Sequence, residues 1–319
     1  MSRVAVVAPN SLLGRELRER LSARAGRFAD VRLLSGDEDE IGQLAESGGA
    51  AGFVGRLDDD AFAGVEIVFF CGAIADDKPW IERLPPAARA LVLSRGATTT
   101  DGEPAIAGQG RAGRAGGPLL VPHPAAYGAA LLLARLEPLG VRCAQAVAIL
   151  PVSCQDEAGL EALFEQTRGL LAFQQLGRKE LRGQVAFNVS LSAADGDDVG
   201  RQVVACLDAS YPVAVQLVDA GIFHGVGLSL RVELGTAVDS RALRQALGAD
   251  PRIELARRPA TVSPVALAGS EQVVVGEIRS AGAAGEYWIW AAFDNLVRGG
   301  ALAAVELAEE LLDGSAPPA

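Results

Sequence analysis

The sequence predicts an α/β fold, because apolar strands and helices alternate over roughly the first 125 residues before the pattern changes. Arg3–Val7 is a largely apolar run of the kind that forms strands buried on both faces. The turn Ala8–Leu13 leads into a predicted helix at Gly14–Ala23, and a second strand follows at Val31–Leu34. This βαβ unit favours a doubly wound parallel sheet of the Rossmann type.

The same alternation continues towards the middle of the chain. Further buried strands are predicted at Val65–Cys71 and Leu91–Ser94. Gly108–Gly117 is rich in glycine, alanine and arginine, and we expect a mobile surface loop there. An apolar strand end then runs into a tight turn at His123–Ala126, and a long apolar helix is predicted to begin at about Tyr127. An α/β enzyme would hold a nucleophile at such a junction, but the alanines of this turn offer none.

After this helix the pattern becomes that of an α+β domain. The strands expected there are Arg142–Leu150 and four that alternate as antiparallel strands do, namely Val213–Val218, Gly225–Glu233, Val273–Ile278 and Glu286–Phe293. The helices expected there are Ser153–Leu171, Val199–Leu207 and Arg241–Leu247. We expect Ser153 or Asp156 to cap the first of these helices. An amphipathic helix at Asn295–Leu312 ends the pattern.

Composition and charge limit the classes of partner and site. The 319 residues are half hydrophobic and 22% charged, as in ordinary globular proteins. The net charge of −11 argues against nucleic acid or an anionic membrane as a partner. Four scattered cysteines without metal-ligand spacing and only two histidines predict no metal site. Reduced thiols and the lack of a recognisable signal peptide favour a cytoplasmic protein.

The first βα turn, VAVVAPNSLLG, raises the question of a bound dinucleotide. A nucleotide-binding turn needs glycines so that the backbone can approach the pyrophosphate. Only Gly14 remains, while Ala8 and Ser11 stand where glycines would help. Two interpretations stay open: a weakened phosphate site at a helix N-terminus, or a turn that no longer binds anything.

An acidic segment follows the second predicted strand. Ser35 and Gly36 lead into Asp37–Glu40, which is a run of four carboxylates. A cofactor with a 2′-phosphate requires Arg or Lys at this position, so NAD is favoured over NADP if a dinucleotide binds. The alternative is a solvated acidic loop without a binding role.

Four stretches together carry a family resemblance. They are VEIVFFCGA (65–73), PHPAAY (122–127), QVAFNVSL (184–191) and DNLVRGGALAAVELAE (294–309). On these stretches the chain resembles the aspartate-semialdehyde dehydrogenase family over essentially its whole length. PHPAAY stands where that family has Asn-Pro-Asn-Cys-Thr, and the last stretch looks like the C-terminal helix that returns to the nucleotide domain.

The resemblance implies an NADP-dependent, phosphate-using oxidation of an aldehyde to an acyl phosphate, or its reverse. In that family a Cys thiolate attacks the carbonyl, a His acts as acid and base, a Gln orients the intermediate and an Arg binds the substrate carboxylate. Carried over, the Cys position falls on Ala126, which is inert, and the Gln position on Leu150. The His position falls on His224, and Gln216 or Leu217 occupies the Arg position. The chain is most similar to the Usg-type homologues, which lack the catalytic cysteine.

Two residues are candidates for remaining chemistry. Cys154 stands at the start of a predicted helix, where a lowered pKa would make it a displaced nucleophile, and the alternative is an inert buried cysteine. His224 is either a residual acid/base or a hydrogen-bonded structural residue.

By this resemblance the domains are residues 1–126 plus 294–319, which would bind NAD or NADP, and residues 127–293, which would pair with a second subunit in a homodimer. Trp288 and Trp290 alternate on one strand and are expected in the core or at a subunit interface. The residues predicted to contact the cofactor are Ala8, Asn10, Ser11, Leu12, Leu13, Gly14, Ser35 and Asn295.

Three functional hypotheses follow. The first is a semialdehyde-dehydrogenase homologue that lacks the parent activity and retains binding of a dinucleotide or small metabolite. The second is an active NAD(P)-dependent oxidoreductase acting on an aldehyde or acyl phosphate in amino-acid biosynthesis, with altered chemistry at His224 and Cys154. The third is a non-catalytic structural or regulatory dimer.

Overall fold

The computed structural model describes residues 2–47, 50–110, 116–174 and 183–314 of the chain. It divides into two compact units, Met1–His123 with Gly299–Ala319, and Pro124–Arg298. The α/β fold class is confirmed, with a largely parallel sheet in the first unit and a mixed sheet in the second. Residues 111–115 of the loop predicted to be mobile lie outside the described residues.

The described part of the first unit contains eight strands and three α-helices. The strands are β1 (Ser2–Val7), β2 (Phe28–Ser35), β3 (Leu44–Ser47), β4 (Ala50–Arg56), β5 (Ile67–Phe70), β6 (Arg89–Val92), β7 (Glu103–Pro104) and β8 (Leu119–Leu120). The helices are α1 (Leu12–Ser22), α2 (Ile74–Ile81) and α7 (Leu302–Asp313).

The sheet of the first unit has the order β3-β4-β2-β1-β5-β6-β8-β7. Its pairs are parallel except for the hairpin of β3 and β4 at one edge. Strands β1 and β5 lie side by side in the middle, and their apolar runs Val4–Val7 and Ile67–Phe70 are buried. The apolar runs therefore form the centre of the sheet, as predicted for strands covered on both faces.

The predicted last helix begins later than its sequence pattern indicated. A single π-helical turn, Val297–Ala301, precedes α7, which starts at Leu302 rather than Asn295. The Asp294 carboxylate accepts hydrogen bonds from the N–H groups of Leu296 and Val297, at 2.7 and 2.8 Å. This local bonding competes with a regular helix, because short acidic side chains offer the backbone an alternative partner.

The described part of the second unit contains seven strands and four α-helices. The strands are β9 (Val141–Leu150), β10 (Val189–Leu191), β11 (Val213–Ala220), β12 (Val226–Leu234), β13 (Ile253–Leu255), β14 (Val273–Ser280) and β15 (Glu286–Phe293). The helices are α3 (Pro124–Leu136), α4 (Asp156–Leu171), α5 (Gly196–Leu207) and α6 (Ser240–Leu247).

The sheet of the second unit has the order β10-β11-β9-β12-β15-β14-β13. The expectation of an antiparallel set was wrong for β11, which runs parallel to β9, and β13 is parallel to β14. The connection from β9 to β11 includes two helices, and a parallel pair requires such a long crossover. Alternate residues of β9, such as Ala146 and Ala148, are buried on one face, while Val147 is half-buried on the other.

Helix α3 begins three residues earlier than predicted. It starts at Pro124, so Ala125 and Ala126 lie in its first turn and are completely buried, not in an exposed turn. Proline is favoured at the first position of a helix because its missing N–H would be unpaired there in any case. Close packing holds α3 to the sheet, since a Cβ on Gly128 would lie 2.5 Å from the Phe293 ring.

None of the described helices is both long enough and apolar enough to cross a membrane.

Candidate functional site

The βα turn after β1 keeps the tight geometry of a nucleotide-binding turn. Ala8 has φ +57°, a left-handed conformation that normally favours glycine. A Cβ on Gly14 would lie 2.4 Å from the carbonyl oxygen of Ala8, so only glycine fits there. The turn therefore packs its backbone closely against the start of α1, as the last glycine of a dinucleotide-binding turn allows.

Ser11 satisfies part of the helix N-terminus from within the chain. Its Oγ accepts a hydrogen bond from the Gly14 N–H at 3.0 Å and lies 2.9 Å from the Ala8 carbonyl oxygen, to which it can donate. Arg15 Nε donates to the Asn10 carbonyl oxygen at 2.8 Å, which places the guanidinium across the turn. Leu12 and Leu13 form the half-buried first residues of α1. Ser11 therefore removes one N–H from those that a phosphate at this helix end would use.

Beside the end of β2, on the neighbouring strand β4, lies a cation that the sequence analysis missed. Ser35 is buried, and its Oγ accepts a hydrogen bond from the Asp37 N–H at 3.1 Å. Its register partner on the parallel neighbour β4 is Arg56, which binds both carboxylate oxygens of Glu38. The Nη2–Oε2 distance of this pair is 2.7 Å. One carboxylate of the acidic loop is therefore neutralised, and Arg56 escaped notice because β4 was not predicted.

A second cation lies near the same loop. Arg18 on α1 is 9% exposed, and its Nε and Nη1 atoms have no hydrogen-bond partner among the described residues. Burial and the neighbouring Arg15 lower the pKa of this guanidinium, while Glu40 acts in the opposite direction. Burying a cation whose donors have no partner destabilises the fold. Binding of an anionic group beside Arg18 would therefore be favourable.

In the second unit, hydrogen bonds join the two segments that the family resemblance marks as catalytic, residues 150–154 and 219–225. The N–H groups of Val152 and Ser153 donate to the carbonyl oxygens of Ile222 and Phe223, at 2.9 and 3.2 Å. The Asn295 side chain completes the connection. Its Oδ1 accepts from the Gly225 N–H at 2.9 Å, and its Nδ2 donates to Ser153 Oγ at 3.0 Å. Asn295, predicted as a cofactor contact, thus has both ends of its amide engaged within this unit.

The residues at the positions carried over from the family resemblance differ in burial. Ala126 is completely buried in the first turn of α3, and Leu150 is buried at the end of β9. On β11, Gln216 is exposed and Leu217 is buried. His224 is half-buried, and its imidazole makes no hydrogen bond to a described residue. It precedes Gly225, whose φ of +90° and a 2.4 Å approach of any Cβ to the Pro264 carbonyl require glycine.

The surroundings of Cys154 differ from those the sequence analysis expected. The residue lies in a 3₁₀ turn, Val152–Gln155, before α4, and neither Ser153 nor Asp156 caps that helix, whose N-cap is Gln155. Burial, with smaller contributions from the carboxylates of Asp219 and Asp294, raises the pKa of Cys154 to about 12. This shift is opposite to the one that a reactive thiolate needs. The role of Cys154 as a nucleophile stays a prediction, and its surroundings argue against it.

The charge of these segments also differs from that of a site for anionic substrates. Residues 150–154 and 219–225 contain no Arg or Lys, and their one carboxylate is Asp219. Asp294 is already bound by the Gly269 N–H at 2.7 Å as well as by its own turn. No group of three or more His, Cys, Asp or Glu among the described residues is arranged to hold a metal ion.

Similar proteins were found at the level of sequence. No family model matches the chain. It is 31% identical over 314 residues to the "USG-1 protein homolog" of Azotobacter vinelandii, with 89% of this chain and 94% of that protein covered. A second "USG-1 protein homolog", from Pseudomonas aeruginosa, is 28% identical over 328 residues, with 97% of each chain covered. An "Aspartate-semialdehyde dehydrogenase" of Rickettsia conorii is 27% identical over 175 residues, about half of each chain.

Solved structures agree with the fold. A probable aspartate-semialdehyde dehydrogenase from Pseudomonas aeruginosa has a TM-score of 0.87 and 26% identity, with 98% of both chains covered. Aspartate semialdehyde dehydrogenase II from Vibrio cholerae has a TM-score of 0.86 at 20% identity, with 98% of both chains covered. An aspartate semialdehyde dehydrogenase with NADP from Candida albicans has a TM-score of 0.71 at 11% identity, with 98% of this chain and 99% of that chain covered. The last two show the shared fold alone.

Proposed function

Since this chain belongs to the family of USG-1 protein homologues and has the fold of the aspartate-semialdehyde dehydrogenases, we propose that it lacks the parent dehydrogenase activity and binds a nicotinamide dinucleotide. The observation that carries the first half is Ala126, at the position of the family's cysteine. Its methyl group is completely buried in the first turn of α3 and cannot attack a carbonyl carbon.

The other parts of the parent chemistry are also missing at their positions. Leu150 offers no amide to orient an intermediate, and neither Gln216 nor Leu217 carries the charge that would bind a substrate carboxylate. With a pKa raised to about 12, Cys154 is a protonated thiol at neutral pH and a poor replacement nucleophile. His224 alone retains its chemical group, and an acid/base without a nucleophile does not form a thioacyl enzyme.

Dinucleotide binding is supported by the turn after β1. Ala8 holds a left-handed backbone, and Gly14 lets the turn pack against the start of α1, so the turn keeps the backbone shape of a pyrophosphate site. A bound dinucleotide would supply hydride transfer. The chain itself contributes the α1 N-terminus for the phosphates and Ser35 for the ribose. We propose NAD rather than NADP, because the loop carries four carboxylates and Arg56, the cation at the end of the neighbouring strand, is already paired with one of them, Glu38.

We further propose a homodimer formed by the open face of the second unit's sheet. Trp288 and Trp290 are half-buried on that face, and Arg279 stacks 6.0 Å from the Trp288 ring centre. At the sheet edge Val189 and Leu191 are more than 60% exposed. The face thus combines large apolar side chains with polar ones such as Gln216 and Arg231, a mixture that occurs in subunit interfaces, and a second copy could cover it. The four free cysteines support the proposed cytoplasmic location.

Two measurements test the function. Isothermal titration with NAD, NADH, NADP and NADPH tests binding, and an absorbance assay with aspartate semialdehyde and phosphate tests the parent reaction. We expect saturable binding and no turnover. Gly14→Ala should abolish binding, while Gly26→Ala, whose Cβ would have no neighbour within 4 Å, should leave it unchanged. Turnover that is lost on mutation within the protein would contradict the proposal.

A second candidate is an active oxidoreductase with altered chemistry. It is favoured by His224, a half-buried imidazole without a described hydrogen-bond partner beside the segment that Asn295 holds. It requires a cofactor-dependent absorbance change with some aldehyde or acyl phosphate, and the loss of that change in His224→Ala.

The third hypothesis, a structural or regulatory dimer without ligand, is favoured by Ser11, which satisfies its own helix N-terminus. Absence of binding by all four dinucleotides would select it.

A further inference from the structure

We propose that the ion pair between Glu38 and Arg56 determines which dinucleotide this protein accepts. With the pair intact, the site favours NAD, and removal of the Glu38 carboxylate releases Arg56 to bind the 2′-phosphate of NADP. This inference rests on the dinucleotide binding proposed above and adds a residue that selects between the two cofactors.

The position of Arg56 follows from strand pairing. β2 and β4 are parallel neighbours, and the last residue of one, Ser35, is opposite the last residue of the other, Arg56. In sheets of this type the cofactor ribose lies at the end of the second strand. Neighbouring strands are about 4.8 Å apart. Arg56 therefore starts one strand away from the ribose position, which a long guanidinium side chain can reach.

Glu38 is the loop carboxylate that holds this cation. Both its oxygens contact the guanidinium, with 2.7 Å between Nη2 and Oε2. Asp37 instead accepts the Asp39 N–H at 3.0 Å, which orders the loop locally. The pair is exposed on both sides, at 56% for Arg56 and 68% for Glu38. Exposed pairs of this kind contribute little to stability, so a doubly charged phosphate can compete for the arginine once the Glu38 carboxylate is gone.

The same carboxylate explains the preference for NAD. A ribose 2′-hydroxyl can donate a hydrogen bond to a carboxylate, as acidic residues at this position do in NAD-binding folds. A 2′-phosphate would meet Glu38 as a like charge and would find Arg56 already occupied. Glu38 therefore accepts one cofactor and excludes the other through a single side chain.

The test compares dissociation constants of NAD and NADP for the full-length protein and four variants. Glu38→Gln keeps the size and removes the charge, and Asp39→Asn is the matched control, since it removes the same charge from the same loop without touching Arg56. We expect Glu38→Gln to strengthen NADP binding about tenfold or more, as a new charge-assisted pair would. Arg56→Gln alone should bind NADP no better than the wild type, and Glu38→Gln with Arg56→Gln should lose the gain.

The outcomes separate the two proposals. Wild-type protein that binds neither cofactor overturns both the dinucleotide proposal and this inference. Wild-type protein that binds NAD, together with equal effects of Glu38→Gln and Asp39→Asn on NADP, supports dinucleotide binding and overturns the inference, because loop charge in general would then be responsible. A gain that survives Arg56→Gln overturns it as well. A gain confined to Glu38→Gln and dependent on Arg56 supports it.

Discussion

At the scale of single residues, the Asn295 side chain joins residues 150–154 to residues 219–225, the two segments that the family resemblance marks as catalytic. Its amide accepts from the Gly225 N–H and donates to Ser153 Oγ, and the residue is 3% exposed. When such a partner is removed, the buried groups that it bonded are left without a hydrogen bond. A buried unsatisfied group lowers the free energy of unfolding by more than its hydrogen bond had raised it. Asn295 is therefore a structural connection in its own right.

Asn295→Ala should lower the free energy of unfolding by about 1–3 kcal/mol, because two buried polar groups lose their partner. Urea denaturation measures the change. Asn188→Ala is a suitable control, since Asn188 is exposed and its side-chain amide donates to the Gln184 carbonyl oxygen. Equal stability of the two variants would show that the amide is not needed.

Cys154 should react slowly with iodoacetamide at pH 7. A pKa of about 12 leaves roughly a thousandth of the thiolate found in an exposed cysteine of ordinary pKa. The alkylation rate should rise with pH up to the limit of the fold, and unfolding in urea should restore ordinary reactivity. Mass spectrometry of the modified peptide gives the rate, and fast labelling that disappears in Cys154→Ala would revive the displaced nucleophile.

At the scale of elements, Asp77 of α2 connects the ends of two central strands. Its Oδ2 accepts from the Gly72 N–H, just after β5, at 2.9 Å and from Ser94 Oγ, just after β6, at 2.6 Å. Burial outweighs these hydrogen bonds and raises the pKa of Asp77 to about 6. The carboxyl group is therefore more easily protonated in the fold than in the unfolded chain.

This shift predicts how stability depends on pH. Between about pH 4 and 6 the unfolded chain releases the Asp77 proton while the fold retains it, so stability falls as pH rises, by roughly 3 kcal/mol in total. Below that window both states are protonated, and above it both are ionised. Asp77→Asn cannot titrate, so the difference in unfolding free energy between wild type and variant should change across pH 4–6. A constant difference would contradict the prediction.

The sequence predicts elements well where their signal is local and fails where it is not. The runs Val4–Val7 and Ile67–Phe70 are apolar throughout, so both central strands were predictable. The hairpin of β3 and β4 was missed, because its residues are rich in glycine and alanine and β propensity depends on packing partners. The parallel direction of β11 depends on pairing with a distant strand, which no window of sequence contains.

The same limit applies to the candidate site. Through the family resemblance the sequence predicts that Ala126 stands at the nucleophile position and His224 at the acid/base position, and both stay predictions. The sequence could not predict the Glu38–Arg56 pair, the hydrogen bonds of Asn295 or the raised pKa of Cys154. Each depends on residues that are separated along the chain and meet only in the fold. Arg56 would have been found had the strand that it ends been recognised.

At the scale of the whole molecule, the question is whether two copies associate. The open sheet face presents Val147 on the central strand β9, beside Gln216 on β11 and Ser229 on β12. An apolar residue at the centre of such a face is the position at which a charge would most disturb an interface. The association state is therefore testable by one substitution.

Sedimentation should give twice the 33.0 kDa mass of the chain for the wild type. Val147→Arg should give the monomer mass, because an interface centre does not tolerate an unpaired charge. Val265→Arg is the control, since Val265 is 68% exposed and lies outside the sheet. A monomeric wild type would refute the homodimer.

The hydroxyl of Ser11 has a consequence for how the protein persists in a cell. Because the chain supplies this partner for the start of its own helix, the nucleotide turn can keep its shape when nothing is bound. Many cofactor-dependent proteins are cleared when their ligand becomes scarce, since the empty form unfolds more readily. A turn that its own side chain caps keeps its shape when empty, so the folded protein should lose only the binding free energy itself when nicotinamide becomes scarce.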